Sequence, residues 1–238
     1  PGPFGLLGRA LARGSGAGFI TAFHTHFEDL ASLYNSSFFF SVASWYMKKV
    51  NTFLFNSSDT VLVNNSGLQK TVKDLGAVRT DIIGTPVASV FLKPPVTAFR
   101  AGIERVLFAG RLAPEKNIPS VIQAAEVLPQ IRFIIAGEGP LRKEVEAAGR
   151  RLVNLHVTGW LDRDALCEEL DNADLLILPS HMETFGTIAL EAMARGRPAL
   201  VAANAGIHQW EMFKDALYTL EEGVSLSQTL VNIISLSE

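Results

Sequence analysis

The run Pro179–Pro198, PSHMETFGTIALEAMARGRP, carries two carboxylates eight residues apart. Glu183 precedes Phe185-Gly186, and Glu191 falls on a helix whose expected start is Thr187. A carboxylate in a loop at a strand end can face a ligand there. The first N–H groups of the helix, at Thr187 and Ile188, form the positive end of a dipole suited to a phosphate or diphosphate, and Gly186 lets the backbone come close to it. Glu191, one turn into the helix, suits vicinal hydroxyls such as those of a ribose. A second loop, Gly110–Asn117 (GRLAPEKN), brings Arg111 and Lys116 to another strand end, where two cations fit a diphosphate leaving group. A third, Gly137-Glu138-Gly139-Pro140, has the small residues that admit a flat ligand. In Phe23-His24-Thr25-His26 two histidines stand at a metal-pair spacing, but His156, His181 and His208 lie in unrelated settings, so no third ligand is expected. His24 is read as a polar or proton-handling group at a strand end and His26 as a helix-start residue.

Positioning these loops requires alternating strands and helices, and the punctuation supplies them. Expected β-α steps are Arg105–Gly110 with Pro119–Leu128, Ile131–Ala136 with Leu141–Arg151, Val153–Val157 with Arg163–Asn172, and Asp174–Leu178 with Thr187–Arg195, closed by the strand Pro198–Ala202. Asp174–Leu178 (DLLIL) is apolar on both faces, as a central parallel strand should be. The pattern predicts a doubly wound sheet with its ligand crevice at the C-terminal strand ends. The first half has strands at Gly18–Phe23 and Thr60–Val63, a third at Asp81–Gly84, and a helix Asn65–Leu75 with Asn65 as N-cap. Pro94 and Pro95 in the stretch Leu92–Arg100 mark the linker, giving domains 1–97 and 98–238. Three strands on a chain that opens with a helix suggest that part of the first domain is missing.

Composition limits the alternatives. The 238 residues are 48% hydrophobic and 19% charged, enough apolar content for one or two cores. The single cysteine, Cys167, excludes a disulfide framework or a multi-thiolate metal site and points to a reducing, cytoplasmic setting. No run of about 20 apolar residues is present to span a bilayer. Residues 1–100 hold nine Lys/Arg against five Asp/Glu, and residues 101–238 hold twelve against nineteen. Basic residues so dispersed exclude nucleic-acid binding by counterion release. The glycine-rich Gly14–Gly18 precedes a strand instead of following one, so it is no dinucleotide fingerprint, and there is no Asp-x-Asp pair to hold a metal-bound diphosphate.

In order and spacing, GRLAPEKN, IRFIIAGEGP, VTGWL, ADLLILPS and ETFGTIALEAMARGRP resemble the nucleotide-sugar-binding domain of the retaining family 4 glycosyltransferases (glycosyl transferases group 1). The match covers residues 105–206 well; FITAFHTHFEDLASLYN resembles the family's first domain more loosely. The resemblance implies the GT-B fold, two Rossmann-like doubly wound domains, here with the first incomplete. It implies that Arg111 and Lys116, beside Gly110, grip the donor diphosphate, that Glu183 with the N–H groups of Phe185 and Gly186 holds the sugar, and that Glu191 binds the ribose. Backbone near Gly139 and Leu161 would flank the base, and His24 would stand near the reacting sugar. The reaction implied moves a sugar from a nucleotide diphosphate sugar to an acceptor hydroxyl with retained configuration, needing neither metal nor cofactor.

Departures from the family pattern lie at both ends, where the opening strand with its glycine-rich loop and the closing helix are absent, so the chain reads as truncated. The usual Gly-Gly-x-Pro-Glu also reads Ala205-Gly206-Ile207-His208-Gln209. Alternative readings are a non-catalytic nucleotide-sugar-binding module and a GT-B-fold epimerase. The acceptor is a glycan, lipid or small molecule. The stretch 38–55 is read first as a core helix and second as a helix that sets Lys48 and Lys49 against an anionic membrane at the inner face of the cell membrane.

Overall fold

A computed structural model describes residues 2–24, 38–93 and 102–237. The expected His26 lies outside the described residues. The chain forms two compact units, Pro1–Thr85 and Pro86–Glu238.

The first unit contains α1 (Gly2–Ser15), β1 (Ile20–Phe23), α2 (Phe38–Ser57), β2 (Thr60–Val63), α3 (Ser66–Asp74) and β3 (Thr80–Ile82). Its strands form a parallel sheet in the order β1-β2-β3. Alternation along β1 and β2 turns Phe23, Val61 and Val63 into a core with Phe55, Leu68, Val72 and Ala77. Phe23 and Phe55 meet edge to face at 5.4 Å. Asn65 caps α3 as its sequence position implies, its side chain accepting from Leu68 N–H at 2.8 Å, a contact worth about 1 kcal/mol. In α2 the residues Val50, Leu54 and Phe55 are buried, while Val42, Trp45, Tyr46 and Phe53 stay exposed together with Lys48 and Lys49. The Arg9 guanidinium lies 4.3 Å above the Phe53 ring. No helix among the described residues is long and apolar enough to cross a membrane.

The second unit contains β4 (Arg105–Ala109), α4 (Ile118–Val127), β5 (Arg132–Ala136), α5 (Arg142–Arg151), β6 (Leu155–Gly159), α6 (Arg163–Asn172), β7 (Leu175–Leu178), α7 (Thr187–Ala194), β8 (Ala199–Ala202), β9 (Leu217–Leu220) and α8 (Leu226–Ser237), with short 3-10 turns between some of them. The six strands are parallel in the order β6-β5-β4-β7-β8-β9. Alternation splits the central strands between two apolar layers. Val106, Phe108, Phe133, Ile135, Leu175 and Ile177 enter one layer, and Leu107, Ile134, Ala136, Leu176 and Leu178 enter the other. This is the two-faced burial that a doubly wound sheet needs. The chain leaves β4 toward β5 on one side and later returns to β7 on the other, so a crevice opens at the strand ends between them.

The unit boundary falls earlier than the proline-rich linker suggested. Phe91, in the 3-10 turn Ser89–Leu92, is fully buried in the second unit's core. Arg195, itself buried and paired with Asp171 at 2.5 Å, donates to Lys93 O at 2.6 Å and ties this turn down.

Candidate donor-binding site

Within the second unit the C-terminal ends of β4, β5 and β6 and the start of α7 enclose a cleft of about 520 Å³. Gly110 and Arg111 line it from the β4 loop, Gly137 and Glu138 from the β5 loop, Trp160 and Leu161 from beyond β6, and Thr187, Ile188 and Glu191 from α7. The helix α7 starts at Gly186, whose φ of 100° places it in the left-handed region, and no side chain caps its first N–H groups. Thr187 and Ile188 thus bring a helix N-terminus to the cleft wall, and Glu191 lies one turn further along.

The β4 and β5 loops touch backbone to backbone, and this contact sets the cleft floor. Leu112 N–H donates to Glu138 O at 2.8 Å and Gly110 N–H to Ala136 O at 3.0 Å, while Gly137 N–H donates to Gly159 O, at the end of β6, at 2.7 Å. A Cβ at Gly139 would stand 2.4 Å from Leu112 O, so this glycine packs against the β4 loop and is not among the cleft-lining residues. The Gly137-Glu138-Gly139-Pro140 run is therefore small because one backbone crosses another there.

Lys116 and Glu183 are not among the cleft-lining residues but come together, with Lys116 Nζ 2.5 Å from Glu183 Oε2 and the two side chains only 19% and 12% exposed. The loops that carry them are stitched by backbone and amide contacts. His181 N–H donates to Glu115 O at 2.9 Å, and the Asn117 amide donates to Pro179 O at 3.1 Å. Asn117 adopts φ 53°, ψ 42°, a left-handed conformation that Asn tolerates and that joins the turn Pro114–Lys116 to α4. Arg111 is more exposed, and its guanidinium lies 3.9 Å from the buried Glu115 carboxylate.

Phe185 is buried and packs edge to face on Trp210, with ring centres 6.3 Å apart. Its side chain anchors the loop, leaving the backbone as the part that could face a ligand. The atypical Ala205-Gly206-Ile207-His208-Gln209 run still supports this loop, because Gly206 N–H donates to Glu183 O at 3.3 Å and Ile207 N–H to Phe185 O at 3.0 Å. His24 lies exposed just beyond β1 in the first unit. Among the described residues no three His, Cys, Asp or Glu side chains converge as metal ligands would.

Burial pushes the Glu191 carboxyl above the usual glutamate range, and Arg163 offsets part of the effect. Such a group favours the folded state fully below its unfolded pKa and loses that contribution as pH rises through the higher folded value. Glu191→Gln is accordingly expected to raise the Tm of the unliganded chain at neutral pH and to change it little in mild acid below about pH 4.3, the ordinary glutamate value. Calorimetric scans across that range check this; an equal shift at both ends would contradict it.

Sequence reasoning did not single out Trp160 or Leu166, both of which line the cleft. A tryptophan directly after a glycine at an expected strand end is the sequence signal that could have marked the first of these.

The family model described as glycosyl transferases group 1 matches residues 93–217, more than half of the chain. The chain is 26% identical to the sulfoquinovosyl transferase SQD2 of Arabidopsis thaliana over 86% of its own length and 41% of that protein's. It spans about two fifths of the length of such curated relatives. Its fold superimposes on sucrose-phosphate synthase from Thermosynechococcus elongatus with a TM-score of 0.81 at 18% identity, covering 98% of this chain and 62% of that one. It likewise matches HepE of Anabaena, solved in complex with UDP, with a TM-score of 0.73 at 19% identity, covering 98% and 65%.

Proposed function

Because the chain belongs to the glycosyl transferases group 1 family and has the GT-B fold, we propose that its second unit binds a nucleotide diphosphate sugar and that the protein transfers the sugar, with retained configuration, to an acceptor hydroxyl. The observation that carries this reading is the uncapped N-terminus of α7 opening on the cleft with Glu191 on its next turn. The helix end and Arg111 take the diphosphate, and Glu191 takes the ribose hydroxyls. Lys116 and Glu183 act as a pair at the junction of diphosphate and sugar, the cation meeting phosphate oxygens and the carboxylate accepting from sugar hydroxyls. In the transfer the bond from the anomeric carbon to the diphosphate breaks, a bond to the acceptor oxygen forms, and the acceptor's proton leaves with the nucleoside diphosphate. The cations and the helix end stabilise the charge that develops on the leaving group, so the reaction proceeds without a metal. His24, exposed after β1 in the first unit, is the proposed proton-handling residue of the transfer. The acceptor is a glycan, lipid or small molecule, in a cytoplasmic setting; exposed Lys48 and Lys49 beside Trp45 would suit an anionic membrane face for a lipid acceptor.

The test combines affinity with turnover. Glu191→Ala is expected to weaken nucleoside diphosphate binding at least tenfold, about 1.4 kcal/mol, with an unchanged circular dichroism spectrum. Unchanged affinity would overturn the ribose assignment. His24→Ala is expected to abolish sugar transfer and leave donor binding intact; binding without any turnover by the wild-type chain would favour the non-catalytic module.

A further inference from the structure

We propose that the second unit carries a second carbohydrate site, apart from the donor cleft, that takes a neutral glycosyl unit and rejects an anionic one. It is a cavity of about 350 Å³ at the C-terminal ends of β7, β8 and β9, beside the start of α4. It shares no lining residue with the donor cleft, so the inference stands whether or not that cleft takes a nucleotide.

The connections after three strands build the cavity. After β7 the segment 179–181 is held by two amides: Asn117 donates to Pro179 O at 3.1 Å and Asn204 to His181 O at 2.7 Å. Ala203 N–H donates to Leu220 O at 3.0 Å and joins the end of β8 to β9. Past β9 the chain turns back at once. Val224 N–H donates to Glu221 O at 3.2 Å, and Gly223 takes φ 79°, the left-handed conformation of the third residue of a type II turn. That turn sets Glu221 and Glu222 on the cavity wall. The segment 179–181 runs on into Met182 and Glu183, so a sugar held here lies on the loop that carries the carboxylate paired with Lys116.

The polar lining is rich in acceptors. Ser180 is 2% exposed, and its hydroxyl has no hydrogen-bond partner among the described residues, an orphan that a folded chain keeps at a cost unless something entering the cavity satisfies it. Asn117 and Asn204 each commit the amide nitrogen to the β7 loop and keep the amide oxygen, which accepts from nothing among the described residues. Glu221 and Glu222 form no ion pair among the described residues, and no Lys or Arg lines the cavity. Carboxylates, amide oxygens and a hydroxyl together suit a ligand that brings several donors, as the hydroxyls of a sugar ring do. Leu220, Val224 and Ala202 supply apolar surface for the C–H face of that ring. Two carboxylates with no lining Lys or Arg disfavour a ligand that is itself an anion.

The test is saturation-transfer NMR with calorimetric titration of the full chain, using the matched pairs glucose and glucuronate, and galactose and galacturonate, with mannose and maltotriose as further neutral probes. Each titration is run with and without UDP, GDP or ADP. At least one neutral probe is expected to bind in the millimolar range, its uronate about tenfold more weakly, and no nucleotide should displace it. Ser180→Ala should weaken the neutral sugar about fivefold. It should leave the Tm of the unliganded chain unchanged or higher, because the hydroxyl it removes bonds to nothing in the protein. Glu221→Gln with Glu222→Gln should lower neutral-sugar affinity about tenfold and narrow the preference over the uronate, with an unchanged circular dichroism spectrum. Maltotriose binding as tightly as glucose would identify the end of a glycan chain as the source of the sugar, and exclusion of maltotriose a free sugar. A folded chain that binds no neutral probe would overturn the proposal. So would equal affinity for a sugar and its uronate, displacement of the sugar by a nucleotide, or binding that needs an added divalent cation and is lost to a chelator. A lower Tm for Ser180→Ala would assign its hydroxyl to the fold and overturn its place in the site.

Discussion

Lys116→Ala is expected to weaken nucleoside diphosphate binding at least tenfold and to destabilise the unliganded chain by about 2 kcal/mol. The second effect follows from burial. With Lys116 gone, the Glu183 carboxylate, 12% exposed, loses the cation 2.5 Å away. For fully buried pairs such a loss costs about 3–5 kcal/mol; the exposure remaining at both side chains lowers the figure here. Glu183→Ala should behave differently in binding. It frees Lys116 from its internal partner, so affinity for the bare nucleoside diphosphate should hold or rise, while the advantage of the sugar conjugate over the bare nucleotide should disappear. The double variant should recover part of the stability that either single change loses, with a coupling energy of about 1–2 kcal/mol in urea melts. Strict additivity in stability, or a sugar preference that survives Glu183→Ala, would contradict the pair's role.

Gly137→Ala should have the largest effect on the fold, about 4 kcal/mol, because its cause is backbone against backbone. A Cβ at Gly137 would lie 1.8 Å from Gly110 O, and neither atom is the end of a flexible side chain. The φ of 141° adds strain of its own. Relief requires the β4 and β5 loops to separate, which breaks the hydrogen bond from Leu112 N–H to Glu138 O and opens the cleft floor. Gly223→Ala is the control, since Gly223 has φ 79° but no neighbour within 4 Å of a Cβ. It should cost only the conformational penalty of about 1–2 kcal/mol. Chemical denaturation of the two variants separates steric contact from φ; similar losses in both would contradict the crossing-loop account.

The second unit was the more legible half because its strands are apolar on both faces and its helices carry their own boundaries. Arg163–Asn172 was readable to the residue, and Asn65 announced the cap of α3. The strand Leu217–Leu220 was not visible: it is four residues long, half exposed along its length, and follows a 3-10 turn with no apolar periodicity. The place of Ser89–Leu92 was hidden for another reason. Its membership in the second unit rests on Phe91 burial and on Arg195, more than a hundred residues away in sequence. At the site, the types Glu183, Lys116 and Glu191 were readable as candidates, but their relations were not. Spacing cannot say that Lys116 and Glu183 pair with each other, nor that Gly139 packs against backbone. Trp160 escaped because a bulge late in β6 sets its direction, and a bulge leaves no mark on hydropathy alternation.

The most direct test of the donor site is a thermal-shift panel of the purified chain with UDP, GDP, ADP and their common sugar conjugates. A ligand at 100 times its Kd stabilises by about 2.7 kcal/mol, a shift of roughly 5–10 °C for a chain of this size. The account predicts such a shift for one nucleotide and its sugar conjugate over the others. A chain that melts cooperatively and shifts with none of them would contradict it.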